Sequence, residues 1–148
     1  MDDASSFFAN AERLTRIFGY WPSFHDAEVL ELNLSRGGNG AEVGGDNAPI
    51  LTARIYVFEM TSKVRSGRFV LRNHTRVTLR FEGVDGLELD GFNHQNALNA
   101  LSFELVPRTD GGPSLLAVTF DPAYGLGASF TCRSAEVVEA EACSAPVR

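Results

Sequence analysis

Between His74 and Glu82 the chain reads HTRVTLRFE, with Val77, Leu79 and Phe81 set against Thr78, Arg80 and Glu82. A period of two gathers those apolar residues on one face of an extended strand, whereas a helix scatters them around its axis. Ile50 to Met60, ILTARIYVFEM, has the β-branched and aromatic content of a second, longer strand. From Ala27, AEVLELNL alternates Leu30, Leu32 and Leu34 with Glu31 and Asn33, which predicts a half-buried strand with its leucines inward. A chain with several such runs and short turns between them is restricted to an antiparallel sheet that must cover one face.

The remaining runs fit that frame. After the turn GVDG at 83 to 86 comes a short LELDGF, and Ser102 to Val106 is extended. SLLAVTFDP, a turn from Pro122 to Gly125, and LGASFTCRSAEVVEAEA predict two or three further strands. In NHQNALNAL, Ala97, Leu98 and Leu101 have the spacing of one or two helical turns. SRGGNGAEVGGDNAP carries five glycines between Arg36 and Gly45 and is followed by no helix, so it predicts a hairpin loop and not a phosphate cradle.

One helix is predicted, from Ser6 to Phe18. Phe7, Ala11, Leu14 and Phe18 recur at steps of four, three and four; Ser5 or Ser6 can cap the first turn, and Gly19 can end the last. Pro22 then blocks continuation. The expected fold is α+β and mainly β: an N-terminal helix packed on an antiparallel sheet of about seven strands. Residues 1–138 form one globular domain and residues 139–148 a flexible tail.

At 148 residues the chain can bury a core without disulfides, and Cys132 and Cys143 lack the spacing of a zinc or redox pair, so both are expected as free thiols. No cofactor is expected. No apolar run approaches the roughly 20 residues of a membrane span, and the acidic start MDDASSFFANAER does not read as a secretory signal. A cytoplasmic protein with no membrane partner follows. The net charge of −6 disfavours nucleic acid as a partner, since phosphate binders cluster Lys and Arg. The same charge can steer a basic partner.

The stretch most suggestive of chemistry is FGYWPSFHDAEV at 18 to 29. His25 and Asp26 are adjacent, and neighbours on a strand point to opposite faces, which is poor geometry for a catalytic dyad. His25, Asp26, Glu28, His74 and His94 have the donor types of a metal site, but their spacing does not demand one. A small metal-binding or hydrolytic domain centred on His25 and Asp26 is therefore the alternative reading. The favoured reading makes the histidine and aspartate tie down a turn while Phe18, Tyr20, Trp21 and Phe24 pack a helix-to-strand corner. No nucleophile elbow, phosphate loop, HExxH or paired-cysteine motif occurs, so no catalytic residue is assigned. The residues expected at a partner surface are Trp21, His25, Asp26 and Glu28.

Three pieces together resemble the immunity protein 50 family of bacterial polymorphic toxin systems: IFGYWPSFHDAEVLELNL at 17 to 34, VTLRFEGVDGLELDGFNHQN at 77 to 96, and LAVTFDPAYGLGASFTC at 116 to 132. The aromatic-Pro-x-Phe-His-Asp string is the most distinctive. The resemblance implies a non-enzymatic protein that neutralises a cognate toxin by direct binding, a basic toxin suiting this chain's charge. It carries no residue-level interface to any position here. The glycine-rich loop at 36 to 49 and the Ala/Glu-rich end fall outside the matching pieces.

Overall fold

A computed structural model describes residues 4–37 and 48–144. Among these residues nine strands form one sheet in the order β1-β9-β4-β3-β2-β6-β7-β8-β5. They are β1 (Phe8–Ala9), β2 (Glu28–Ser35), β3 (Ile50–Arg65), β4 (Arg68–Glu82), β5 (Asp85–Asp90), β6 (Ala97–Val106), β7 (Leu115–Tyr124), β8 (Gly127–Cys132) and β9 (Ser134–Ala142). Every pairing is antiparallel except β1 with β9. The mainly β expectation holds, with nine strands in place of about seven.

The sheet folds over on itself. Only Arg133 separates β8 from β9, and only Gly83 and Val84 separate β4 from β5, although each pair is far apart in strand order. The fold line is the junction of β2 with β6, whose ladder is the single pair Glu28–Ala97. One layer is β9-β4-β3-β2 and the other β6-β7-β8-β5. Aromatic rings join them: Phe81 on β4 lies 5.2 Å from Phe130 on β8 and 6.5 Å from Phe120 on β7, centroid to centroid. Val77, Leu79 and Phe81 are fully buried, as their alternation requires.

The helix is shorter than expected. α1 spans Glu12–Phe18 and buries Leu14 and Phe18, and Gly19, at φ 84, ends it as its sequence implies. Upstream, Ala4–Phe7 is a 3₁₀ turn, and the first α-helical turn follows Ala11 with no side-chain cap, so neither Ser5 nor Ser6 serves the expected purpose. Tertiary pairing outweighs the helical spacing here. Phe8 inserts beside Phe81 and Phe103 while its backbone runs along β9, and Asn10 turns at φ 60 with its amide on Glu136. Arg13 then fastens the helix by donating to the carbonyls of Val137 and Val138.

Two other expectations are corrected for a shared reason. Residues 97–101 are strand, not helical turns; β6 shifts register against β7 between Ala97 and Leu98 and again before Ala100. The extra residue gives Leu98 and Leu101 a step of three on one side, which imitates a helix. In β2 a shift between Val29 and Glu31 likewise buries Val29 and turns Leu30 outward, and Leu34 is 52% exposed because β6 has already left that strand. At the other end, residues 139–142 pair with Thr75 to Thr78 of β4. β2 and β3 are adjacent and antiparallel, as a hairpin demands, while the glycine-rich loop expected between them lies largely outside the described residues.

Both cysteines are free. Burial pushes the Cys132 thiol up to about 12 against the opposing backbone hydrogen bond of Ser134, whereas Cys143 is half-buried. A thiol reagent at neutral pH should label Cys143 in the native protein and reach Cys132 only as the fold opens, which timed labelling with mass spectrometry reads directly.

Candidate functional site

The three sequence pieces that look unrelated along the chain converge on Asn96, which is 3% exposed. Its side-chain oxygen accepts from the backbone amides of Asn93 and Leu126 at 2.8 and 3.1 Å. Its amide donates to the carbonyls of Asn93 and Val29 at 2.8 and 3.3 Å. The amide of Val29 in turn donates to the Asn96 carbonyl. Nothing in its local sequence singles out this residue; its only signal is that it and Leu126 fall within the resembling pieces at 77 to 96 and 116 to 132.

Replacing Asn96 by Ala leaves the buried Leu126 amide without its acceptor and removes four hydrogen bonds. The expected loss is about 2–3 kcal/mol, the usual cost of stranding buried polar groups. Chemical denaturation of the variant checks it.

Around this knot lies the corner that carries the candidate residues. Phe24 is buried at 4%, and Trp21 is half-buried against Phe8 and Phe24, with centroids 4.8 and 5.9 Å away. Glu28 is also buried, at 8%. His25 and Asp26 face outward, their side chains 60% and 48% exposed, with His25 Nε2 3.7 Å from Asp26 Oδ2. His25 Nδ1 lies 2.9 Å from the Asn99 carbonyl, which fits the expected turn-fastening role. Asp26 differs from expectation. It turns the backbone at φ 67, its amide donates to Leu98, and its carboxylate meets only His25 among the described contacts. A positive φ at a non-glycine residue is uncommon, and aspartate tolerates it better than most.

Thus two of the four candidate residues, His25 and Asp26, form an exposed pair, and Trp21 and Glu28 stand behind them. Asn99 extends this corner onto the second layer: its carbonyl meets His25, and its amide donates to Asp121 at 2.8 Å. Strands β5 to β8 contain exposed Asp85, Glu88, Asp90, Glu104 and Asp121 and no Lys or Arg. The first layer balances its charges instead, through Arg54–Glu31, Arg76–Glu141 and Arg80–Glu136. Among the described residues no group of three or more His, Cys, Asp or Glu is placed to hold a metal, and no helix is long and apolar enough to cross a membrane.

Tyr20, from the same corner, anchors the base of the long β3–β4 hairpin. Its hydroxyl donates to Glu59 at 2.8 Å, and Glu59 also accepts from Arg72 at 2.6 Å and Asn73 at 2.9 Å. Arg72 and then Tyr20 hold the Glu59 carboxyl below the ordinary glutamate range. Because the folded value is depressed, this clamp is fully present above the ordinary glutamate pKa and is lost as pH falls through the lowered one. Acidification through that window should lower the amide protection factors at the hairpin base before those of the core, as site-resolved hydrogen exchange corrected for the intrinsic rate can show.

No curated protein and no solved structure matches the chain. The family model described as Immunity protein 50 matches residues 10–142, a span that takes in the corner, the Asn96 knot, the hairpin and both layers. The chain therefore belongs to the Immunity protein 50 family.

Proposed function

We propose that this protein neutralises a cognate bacterial toxin by binding it directly in the cytoplasm, and that it acts as a binder and not as a catalyst. Family membership over residues 10–142 carries the proposal. The contact region is the exposed His25–Asp26 pair, backed by Trp21 and Glu28 and continued through Asn99 to Asp121. The favoured partner is basic. A layer of five exposed carboxylates without a cation offers a field that speeds encounter with a positive surface, while the buried knot beneath keeps the corner in one shape.

Co-expression with any toxin encoded beside its gene tests this. The wild-type chain should rescue growth, and Asp26→Asn/Asp121→Asn, which removes both charges but suits the positive φ at 26 and keeps an acceptor at 121, should slow association at low salt by about threefold while the melting temperature stays close to wild type. Rescue by a variant whose association is unchanged would move the contact away from this corner.

A further inference from the structure

Beyond Tyr56 and Thr75, the β3–β4 hairpin leaves the body of the sheet. β2 stops pairing with β3 at Tyr56, and β9 stops pairing with β4 at Thr75. Among the described residues, therefore, no strand neighbours the ribbon from Phe58 to Asn73 on either side. Its cross-strand pairs Met60–Leu71 and Val64–Phe69 lie on one face, since Phe69 and Leu71 are two residues apart on β4. Those four side chains are 52, 37, 63 and 56% exposed in that order.

The ribbon is also cationic on an acidic chain. Lys63, Arg65, Arg68 and Arg72 share it with one acid, Glu59, which is already engaged by Tyr20, Arg72 and Asn73. Arg65 and Arg68 face each other directly across the tip. The Glu59 clamp fixes the ribbon at its base, so the apolar face is held out in advance of any contact.

A complementary surface exists on the same molecule. A groove of about 750 Å³ on the second layer is lined by Glu88, Asp90, Thr119, Asp121, Pro122 and Gly127 among others. Leu89, Phe92 and Tyr124, 40, 53 and 51% exposed, are the large apolar side chains in and next to this stretch of chain. Groove and ribbon open at the same end: Tyr56 pairs with Glu28, Glu28 with Ala97 and Ala97 with Tyr124, while Asp90 pairs with Gly127. Two chains meeting end to end about a two-fold axis can each place a ribbon in the other's groove, which closes the assembly at two copies.

We propose that the Phe58–Asn73 ribbon is the docking element for a second copy of this chain, its cations meeting the Glu88–Asp90–Asp121 groove and its Met60–Val64–Phe69–Leu71 face covering apolar surface there. The groove adjoins the His25–Asp26 corner through Asn99 and Asp121, so a docked ribbon and a docked toxin compete for that end. Self-association itself is independent of the toxin reading and needs no toxin to test.

Sedimentation velocity on the full chain at low salt should show a dimer that weakens as salt screens the charged contacts. Arg65→Glu/Arg68→Glu and, separately, Glu88→Lys/Asp90→Lys should each raise the dimer dissociation constant at least about tenfold. All four positions are exposed, and unchanged melting temperatures confirm folding. Mixing the two variants is decisive. The hetero-pair matches reversed ribbon with reversed groove and native ribbon with native groove, so dimer should return. A wild-type monomer at low salt, a dimer indifferent to both variants, or a mixture that stays monomeric overturns the proposal. So does a monomeric chain whose ribbon variant loses toxin protection, because that assigns the ribbon to the toxin.

Discussion

Replacing Phe81 by Ala should lower stability by about 3–5 kcal/mol, enough to leave a domain of ordinary stability barely folded. Phe81 is fully buried on β4 and contacts rings from three other segments: Phe8 at 5.9 Å, Phe120 at 6.5 Å and Phe130 at 5.2 Å. It is the side chain through which the folded-over layers touch most directly. Truncation removes its burial and leaves a void bounded by other aromatics, which cannot collapse into it without leaving their own positions. Urea unfolding gives the number. A midpoint near wild type would mean that the layers are held by something other than this ring cluster.

Gly125→Ala is the second large effect, and it acts through backbone alone. Gly125 sits at φ 85, and a Cβ built there would lie 2.2 Å from the Gln95 carbonyl oxygen and 2.8 Å from Asn96 Oδ1. The left-handed conformation costs an L-residue about 1–2 kcal/mol, and forcing atoms into a packed site about 1–3 more. The sum, roughly 2–5 kcal/mol, falls on the knot that fixes the candidate corner. The variant should therefore lose toxin protection together with stability. Gly91→Ala should behave similarly, since its Cβ would meet the Gly125 carbonyl at 2.5 Å. A Gly125→Ala protein as stable as wild type would show that the two turns can separate at little cost.

Much of this fold is legible in the sequence where a strand keeps its register. HTRVTLRFE alternates cleanly, and its inward residues are the buried ones. Reading fails where the register shifts. The bulge in β2 reverses the inward set after Val29, and those in β6 turn a strand into something with helical spacing. Phe7 fits the helical stripe of Ala11, Leu14 and Phe18, and only the partner across space, β9, makes its neighbour Phe8 part of an edge strand.

The corner was legible in outline. FGYWPSFHDAEV is a helix-to-strand corner with an exposed His25–Asp26 pair; Phe18, Trp21 and Phe24 pack there as expected, while Tyr20 stays 45% exposed and turns its hydroxyl to Glu59. Asn96 was hidden because its four partners come from residues as far away as position 29 and position 126. Charge segregation was hidden too. A count of −6 gives no layer, and only the strand order gathers the cation-free strands together.

The most direct measurement is calorimetric binding between this chain and any toxin encoded beside its gene, each purified. The account predicts a saturable complex that blocks toxicity, with association that slows at high salt and slows again in Asp26→Asn/Asp121→Asn. A purified toxin that neither binds the chain nor is inhibited by it would contradict the account at its centre.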